Sequence, residues 1–304
     1  MMDLLRLALW SGVASFTFSW HGGFTPFFHT SQERRAEITI SDENVSPENL
    51  TSSKDGSIYF GSTTKGIIYR ANPDSEKAEA WIKPEAGALT NVLGLLADDK
   101  SQTLWVCANP PFGRSADPKP PMELKAYDLK TGSAKATYPV PGEGAINDVA
   151  VAADGTVYVS DTFGSRILRL KVDAKEVDVW LSDAQLRGVD GLSLLADGSL
   201  YINNFFNGKL SRISVSSDGS AGPIVDLQTS VPFQRPDGLR TSGPNTLLQA
   251  EGNGRLTEIT IVGDKAEVRV IREGLSNAAG VTQVGQSAFV LVGRTKAVRV
   301  QVKT

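Results

Sequence analysis

Gly188-Val189-Asp190-Gly191-Leu192-Ser193-Leu194-Leu195-Ala196-Asp197-Gly198-Ser199-Leu200-Tyr201-Ile202-Asn203-Asn204 is the stretch that decides the fold. It spells an entry turn, a short apolar strand, an Asp-Gly hairpin and a second strand. Asp-Gly between two apolar runs is a strong hairpin signal, because a tight hairpin turn needs the positive φ that glycine tolerates. The same unit stands at 146–161 around Asp154-Gly155, and at 47–62 around Asp55-Gly56. A recurring period determines the architecture, so it is settled before any single element.

Six positions align on the apolar residue that opens each such strand: Leu50, Leu95, Val149, Leu192, Leu239 and Val281. They are spaced 45, 54, 43, 47 and 42 residues apart. Blades of a β-propeller, each a four-stranded sheet, recur at this period. In each repeat a strand precedes the opening residue, as at Glu37–Ile40 and 78–82. A second follows around Tyr59, Trp105, Tyr158, Tyr201, Leu247 and Phe289, and a third around 66–70, 123–128, 166–170, 209–213, 255–261 and 297–302. The expected fold is all-β, a six-bladed β-propeller with four-stranded antiparallel blades. By phase, Glu37–Ile40 is the outer strand of the last blade, which closes the ring and leaves only short sheet edges.

Composition agrees with a soluble globular chain: 304 residues, 40% hydrophobic and 21% charged. A net charge of -3 gives no basic footprint for nucleic acid. Cys107 is the only cysteine, so no intrachain disulfide or cysteine-based zinc cluster exists. The only histidines, His21 and His29, precede the first repeat. This excludes a histidine-based triad or a multi-histidine zinc site within the repeats. Residues 1–29 differ in kind, with Arg6 ahead of an apolar run at 7–18. They resemble a secretory signal, although Asp3 offsets Arg6 and no A-x-A site is visible. The expectation is an export signal or a disordered extension at 1–29 and a propeller domain at 30–304, secreted or periplasmic, otherwise cytoplasmic. The run is too short and interrupted for a membrane span of ~20 residues.

The residues two before each opening position are Glu48, Leu93, Asn147, Asp190, Asp237 and Ala279. In a propeller all of them sit at one mouth of the central channel. Oxygen-rich ligands without Cys or His suit a hard cation such as Ca²⁺ or Mg²⁺. Without one, the carboxylates repel and one should hold a proton. The alternative is that Asp190-Gly191 and Asp237-Gly238 merely form turns into the strand, which accounts poorly for Glu48. On the same face, Asp161, Asn204 and Glu251 end the second strands. Phe163, Phe205 and Phe206 lie just beyond, and Phe112 sits on a connection at 109–121 that carries five prolines. These aromatics are expected to rim a pocket for an apolar substrate, or else to pack between loops. The proline-rich connection is expected to act as a lid, or else to be a tolerated surface insertion.

Over residues 36–304 the chain resembles the regucalcin/gluconolactonase family of six-bladed propellers. Its members hold one divalent cation with a Glu, an Asn and an Asp from the first, third and fourth inner strands. The matching positions are Glu48 in Pro47-Glu48-Asn49-Leu50, Asn147 in Asn147-Asp148-Val149 and Asp190 in Asp190-Gly191-Leu192. The resemblance implies a metal-dependent hydrolase of lactones or related esters. Glu48, Asn147 and Asp190 are then the metal ligands, and Asp190 is also the catalytic base. Substrate contacts are expected from Asp237, Glu251, Asn204, Leu93, Phe112 and Phe163. Ca²⁺ is the preferred ion, with Mg²⁺, Mn²⁺ and Zn²⁺ left open. Leu93 stands where sugar lactonases carry an Asn facing the substrate, and Glu48 lies in Pro-Glu-Asn rather than Glu-Gly-Pro. The expected partner is therefore a small molecule more apolar than a sugar lactone, with no nucleic acid and no membrane span. The alternatives are a non-catalytic binding propeller and a metal-free enzyme like the strictosidine synthases.

Overall fold

A computed structural model of the chain describes residues 35–83, 91–112 and 120–302. The segment read as an export signal and most of the proline-rich connection lie outside the described residues. Strand β1 is Glu37–Ile40. Strands β2 to β5 are Pro47–Ser52, Ile58–Ser62, Ile68–Ala71 and Lys77–Ile82. Strands β6 to β9 are Asn91–Asp98, Thr103–Asn109, Met122–Asp128 and Ala134–Val140. Strands β10 to β13 are Ile146–Val151, Val157–Asp161, Arg166–Leu170 and Asp178–Ser182. Strands β14 to β17 are Val189–Leu194, Leu200–Asn204, Leu210–Val215 and Ala221–Asp226. The two-residue β18 is Gln228–Thr229, and β19 to β22 are Pro236–Gly243, Thr246–Glu251, Arg255–Val262 and Lys265–Arg272. Last come β23 (Val281–Val284), β24 (Ser287–Val292) and β25 (Lys296–Gln301).

Consecutive strands pair antiparallel into four-stranded groups, β2–β5, β6–β9, β10–β13, β14–β17 and β19–β22. Strands β23, β24 and β25 are completed by β1, with Glu37 opposite Val298 and Thr39 opposite Lys296. The N-terminal strand thus pairs with the C-terminal one, as the repeat phase requires. A short parallel contact of β1 with β5 joins the last group to the first.

The hairpin glycines take the conformation that the Asp-Gly pairs imply, with φ of 88° at Gly56, 100° at Gly155 and 76° at Gly198. Each preceding aspartate closes its turn by accepting an amide hydrogen bond, from Ser57, Thr156 and Ser199 respectively. The apolar core is divided among the interfaces between sheets. Tyr59 of β3 packs with Leu95 and Leu104 of the next group. Trp105 and Leu124 pack with Val149 and Val157. Phe60 and Ile38 meet Phe289 and Leu291 across the join of the first and last groups. The alternating apolar residues of each strand serve the two faces of its sheet, and each face is buried against a neighbour.

The innermost strands follow one another in a closed cycle. Strand β2 lies beside β6, β6 beside β10, β10 beside β14, β14 beside β19, β19 beside β23, and β23 beside β2. The architecture is all-β and propeller-like. At this radius the backbones nearly touch. A Cβ on Gly94 would lie 1.9 Å from the Asn147 carbonyl oxygen, and one on Gly191 2.5 Å from the Asp237 carbonyl oxygen. One on Gly238 would lie 2.8 Å from that of Ala279, and one on Gly280 2.8 Å from the Leu50 amide. These glycines serve close approach, and none of the four has positive φ.

Five of the six inner strands, all but β23, also share a β-bulge. Between Val189 and Leu192 the partner strand advances only from Asn204 to Ile202, so one residue is left over. The same slip falls between Pro47 and Leu50, Val92 and Leu95, Ile146 and Val149, and Pro236 and Leu239. Asp190-Gly191 and Asp237-Gly238 are therefore bulges within strands, and the reading of them as entry turns is corrected.

Gly94→Ala is expected to destabilise the protein by about 3 kcal/mol or more, because a backbone carbonyl cannot yield to the new methyl group. Gly263→Ala, at φ 62° with open space around it, should lose only the ~1–2 kcal/mol of a left-handed residue. Equal losses in urea denaturation would refute the close-approach assignment.

Candidate metal centre

A bulge breaks the hydrogen-bond ladder and re-aims side chains, which is why bulges recur beside functional sites. Here the bulge residues are Glu48-Asn49, Leu93-Gly94, Asn147-Asp148, Asp190-Gly191 and Asp237-Gly238. The first of each pair is the position singled out in the sequence. Glu48, Asp190 and Asp237 each offer a carboxylate oxygen, all within 4.8 Å of one another. All three are buried, at 6%, 7% and 7% exposure. Asn147 is buried at the same phase. Its Nδ2 donates to Thr162 Oγ1 at 3.1 Å, while its Oδ1 and Glu48 Oε2 have no hydrogen-bond partner among the described residues.

Burial of three carboxyl groups together has an electrostatic consequence. Desolvation is the largest effect on each, and it favours the protonated form. Glu48 is pushed up to about 7, chiefly by burial and further by Asp148, against the opposing Arg294 and Arg240. Asp190 is raised by burial and then by the charges of Asp237 and Glu48. Asp237 is raised by burial and by Glu48, with Arg294 opposing. The donor set is oxygen only, two of its buried oxygens lack partners, and the charges are in excess. These residues fit a hard divalent cation.

Beneath this cluster an ion pair crosses the channel. Asp148 Oδ2 accepts from Arg240 Nη1 at 2.6 Å and Oδ1 from Nη2 at 2.8 Å. Asn49 Nδ2 donates to Asp148 Oδ1 at 3.2 Å, and the Leu192 amide donates to Oδ2 at 3.3 Å. Arg240 Nη2 also reaches the Leu95 carbonyl at 3.3 Å. Strands β2, β6, β10, β14 and β19 therefore converge on one buried bidentate pair. The sequence reading passed over Asp148 and Arg240. Its available signal was the residue one before each opening position. That residue is glycine in β6, β14, β19 and just ahead of β23, but Asn49 in β2 and Asp148 in β10.

The remaining predicted residues divide. Leu93 is buried at the β6 bulge, adding an apolar side chain at the phase of the cluster. Asn204 and Glu251 are buried, but their bonds tie down their own loops. Asn204 Oδ1 accepts from the Phe206 amide at 3.0 Å and Nδ2 donates to the Arg187 carbonyl at 2.9 Å. Glu251 Oε2 accepts from the Gln234 amide and from Arg255. Asp161 does the same with the Ala145 and Gly164 amides and Arg166. Phe112, Phe163 and Phe206 are all more than half exposed, on loops that follow β7, β11 and β15. Among the described residues no helix is long and apolar enough to cross a membrane.

No protein-family model matches the chain, and no curated protein matches it in sequence. Its structure is similar to that of a gluconolactonase from Xanthomonas campestris, with a TM-score of 0.63 and 17% identity, over 84% of this chain and 86% of that one. A luciferin-regenerating enzyme is similar at a TM-score of 0.64 and 13% identity, over 88% and 93%. A streptogramin B lyase is similar at 0.60 and 16%, over 87% and 96%. The fold is thus a propeller like those of regucalcin- and gluconolactonase-type proteins. It is shared by proteins of different chemistry, so the chemistry has to be read from the site.

Two outcomes are expected. A carboxyl group whose folded pKa exceeds its unfolded one leaves the folded protein with more bound protons between the two values. Stability is then present below the unfolded pKa and lost as pH rises through the folded one. For Glu48 that window runs from its ordinary 4.5 to about 7. In chelator the melting temperature should fall from pH 5 to pH 8, and millimolar Ca²⁺ should restore it at pH 8. A flat profile in chelator would count against a charged, buried cluster. Arg240→Met strands Asp148 and should cost about 3–5 kcal/mol, whereas adding Asp148→Leu should recover much of the loss. Urea denaturation of the two single variants and the double variant measures this, and strict additivity would contradict the pairing.

Proposed function

We propose that the chain is a six-bladed propeller acting as a divalent-metal-dependent hydrolase of a lactone or related ester at the mouth of its channel. The count treats β23–β25 with β1 as one blade and β2–β5 as another, alongside the other four groups. The observation that carries the functional reading is the cluster of Glu48, Asp190 and Asp237, whose buried carboxylate oxygens lie within 4.8 Å. Glu48, Asn147 and Asp190 would hold the cation, Ca²⁺ by preference, and Asp237 joins them as a fourth oxygen donor. A bound divalent cation supplies Lewis-acid polarisation of the acyl carbonyl. Asp190, as a carboxylate, would accept the proton of the attacking water. Leu93 removes a polar contact from one side of the pocket, and the exposed phenylalanines beyond β7, β11 and β15 favour an apolar portion of the substrate.

A second reading, a non-catalytic propeller that binds a ligand at this mouth, is favoured by Leu93 alone. Metal content and turnover of a lactone panel separate the two. Asp190→Asn keeps the side-chain shape and removes one charge. It should lower Ca²⁺ affinity about tenfold or more and abolish lactone turnover. It should also raise the melting temperature of the chelator-treated protein at pH 8, because one member of a buried, mutually repelling carboxyl cluster is gone. If this variant keeps full metal content and turnover, the hydrolase assignment to Asp190 is wrong.

A further inference from the structure

Beside Asp237 lies a cleft of about 140 Å³, lined also by Phe205, Arg235, Asn277 and Arg294. Three non-glycine residues of this one wall are left-handed: Arg235 at φ 53°, Asn277 at φ 50° and Arg294 at φ 55°. Such conformations gather at functional sites, where the surrounding structure imposes them. Arg235 is exposed and its guanidinium carbon lies 5.0 Å from the centre of the Phe205 ring. Gly252 is also close, since a Cβ there would come within 3.2 Å of the Arg235 Cβ and 3.3 Å of its Nε. Contact with an aromatic ring restricts a guanidinium while leaving its N–H groups for a ligand. Among the described residues neither Arg235 nor Arg294 forms a salt bridge, although the cluster of carboxylates is close by. Arg294 is felt electrostatically by Glu48, Asp190 and Asp237.

We propose that this cleft is a subsite for a carboxylate carried by the substrate, held by Arg235 and Arg294 while the reacting carbonyl faces Glu48, Asp190 and Asp237. The inference rests on the hydrolase reading above and narrows it to lactones or esters that bear a free carboxylate. Formal charge favours a monoanion. Three carboxylates, a divalent cation and two guanidinium groups leave one positive charge, which one carboxylate cancels. The planar carboxylate also matches the guanidinium fork in shape.

A probe pair that cannot be hydrolysed tests the subsite apart from catalysis: 3-oxocyclopentane-1-carboxylate and its neutral carboxamide. Calorimetry on the Ca²⁺-loaded protein should show the carboxylate binding about tenfold or more tightly than the carboxamide, with the difference shrinking in high salt. The double variant Arg235→Gln/Arg294→Gln should bring the ratio to about one. Arg294→Lys, which keeps the charge at an exposed position, should retain part of it. Equal affinities in the wild type, or a ratio untouched by the double variant, would overturn the proposal. Turnover of 5-oxotetrahydrofuran-2-carboxylate, measured separately, reports on the hydrolase reading. A charge preference without turnover would leave the subsite standing and remove the hydrolase, whereas turnover without a charge preference would do the reverse.

Discussion

The inner strands run so close to one another around the channel that a side chain has no room between them. Gly94, Gly191, Gly238 and Gly280 each face the backbone of the next strand or of the residues entering it. The two exceptions at the same phase, Asn49 and Asp148, direct their side chains across the channel, where they meet each other and Arg240. This crowding is relieved by the bulge, which adds a residue to the inner strand without adding one to its partner. The bulge in turn aims Glu48, Asn147, Asp190 and Asp237 at the mouth. Ring closure and the carboxylate cluster are thus one piece of geometry, and a change that relaxed the closure would also spread the carboxylates.

Because the core lies between sheets, the axis is left to polar groups, and their electrostatics differ at two depths. Below, the Asp148 carboxylate has a bidentate arginine and further donors from Asn49 and Leu192, so its charge is compensated. Above, three carboxylates share one small volume and meet no cation within salt-bridge distance among the described residues. Both members of the lower pair act on the upper cluster, since Asp148 raises Glu48 and Arg240 opposes that rise. A buried pair of this kind is a weak source of net stability. What it does here is give strands from five groups one common point of attachment.

Much of this was legible in the sequence where the signal is local or periodic. The Asp-Gly hairpins could be read because the turn needs only its own residues, and strand β1 could be assigned because phase alone demanded a partner for β25. Phase also placed Glu48, Asn147, Asp190 and Asp237 around one mouth. Phase gives the angular position of a residue but not how far its side chain reaches, so it did not separate Asp237 from the other two carboxylates or unite it with them. Asn204 and Glu251 were placed on the correct face for the same reason. What a sequence does not display is that their oxygens are committed to the amides of Phe206 and Gln234. Arg240 was hidden by its position just after the opening residue Leu239, and its partner lies 92 residues away.

Neighbours that share this fold at 13–17% identity include a gluconolactonase and a lyase, so overall shape carries no chemistry by itself. The discriminating features are charges and their partners. A propeller that only bound an apolar ligand at this mouth would gain nothing from burying three carboxylates, each of which is disfavoured by desolvation. A turn-forming role for them is removed by the bulges, which lie inside strands. A purely structural role would call for partners like those of Asp161, whose two oxygens are held by the Ala145 and Gly164 amides and by Arg166. Among the described residues Glu48 Oε2 and Asn147 Oδ1 have no hydrogen-bond partner, and the exposed Arg235 beside Phe205 forms no salt bridge. A cation held at the proposed site would satisfy both of these oxygens.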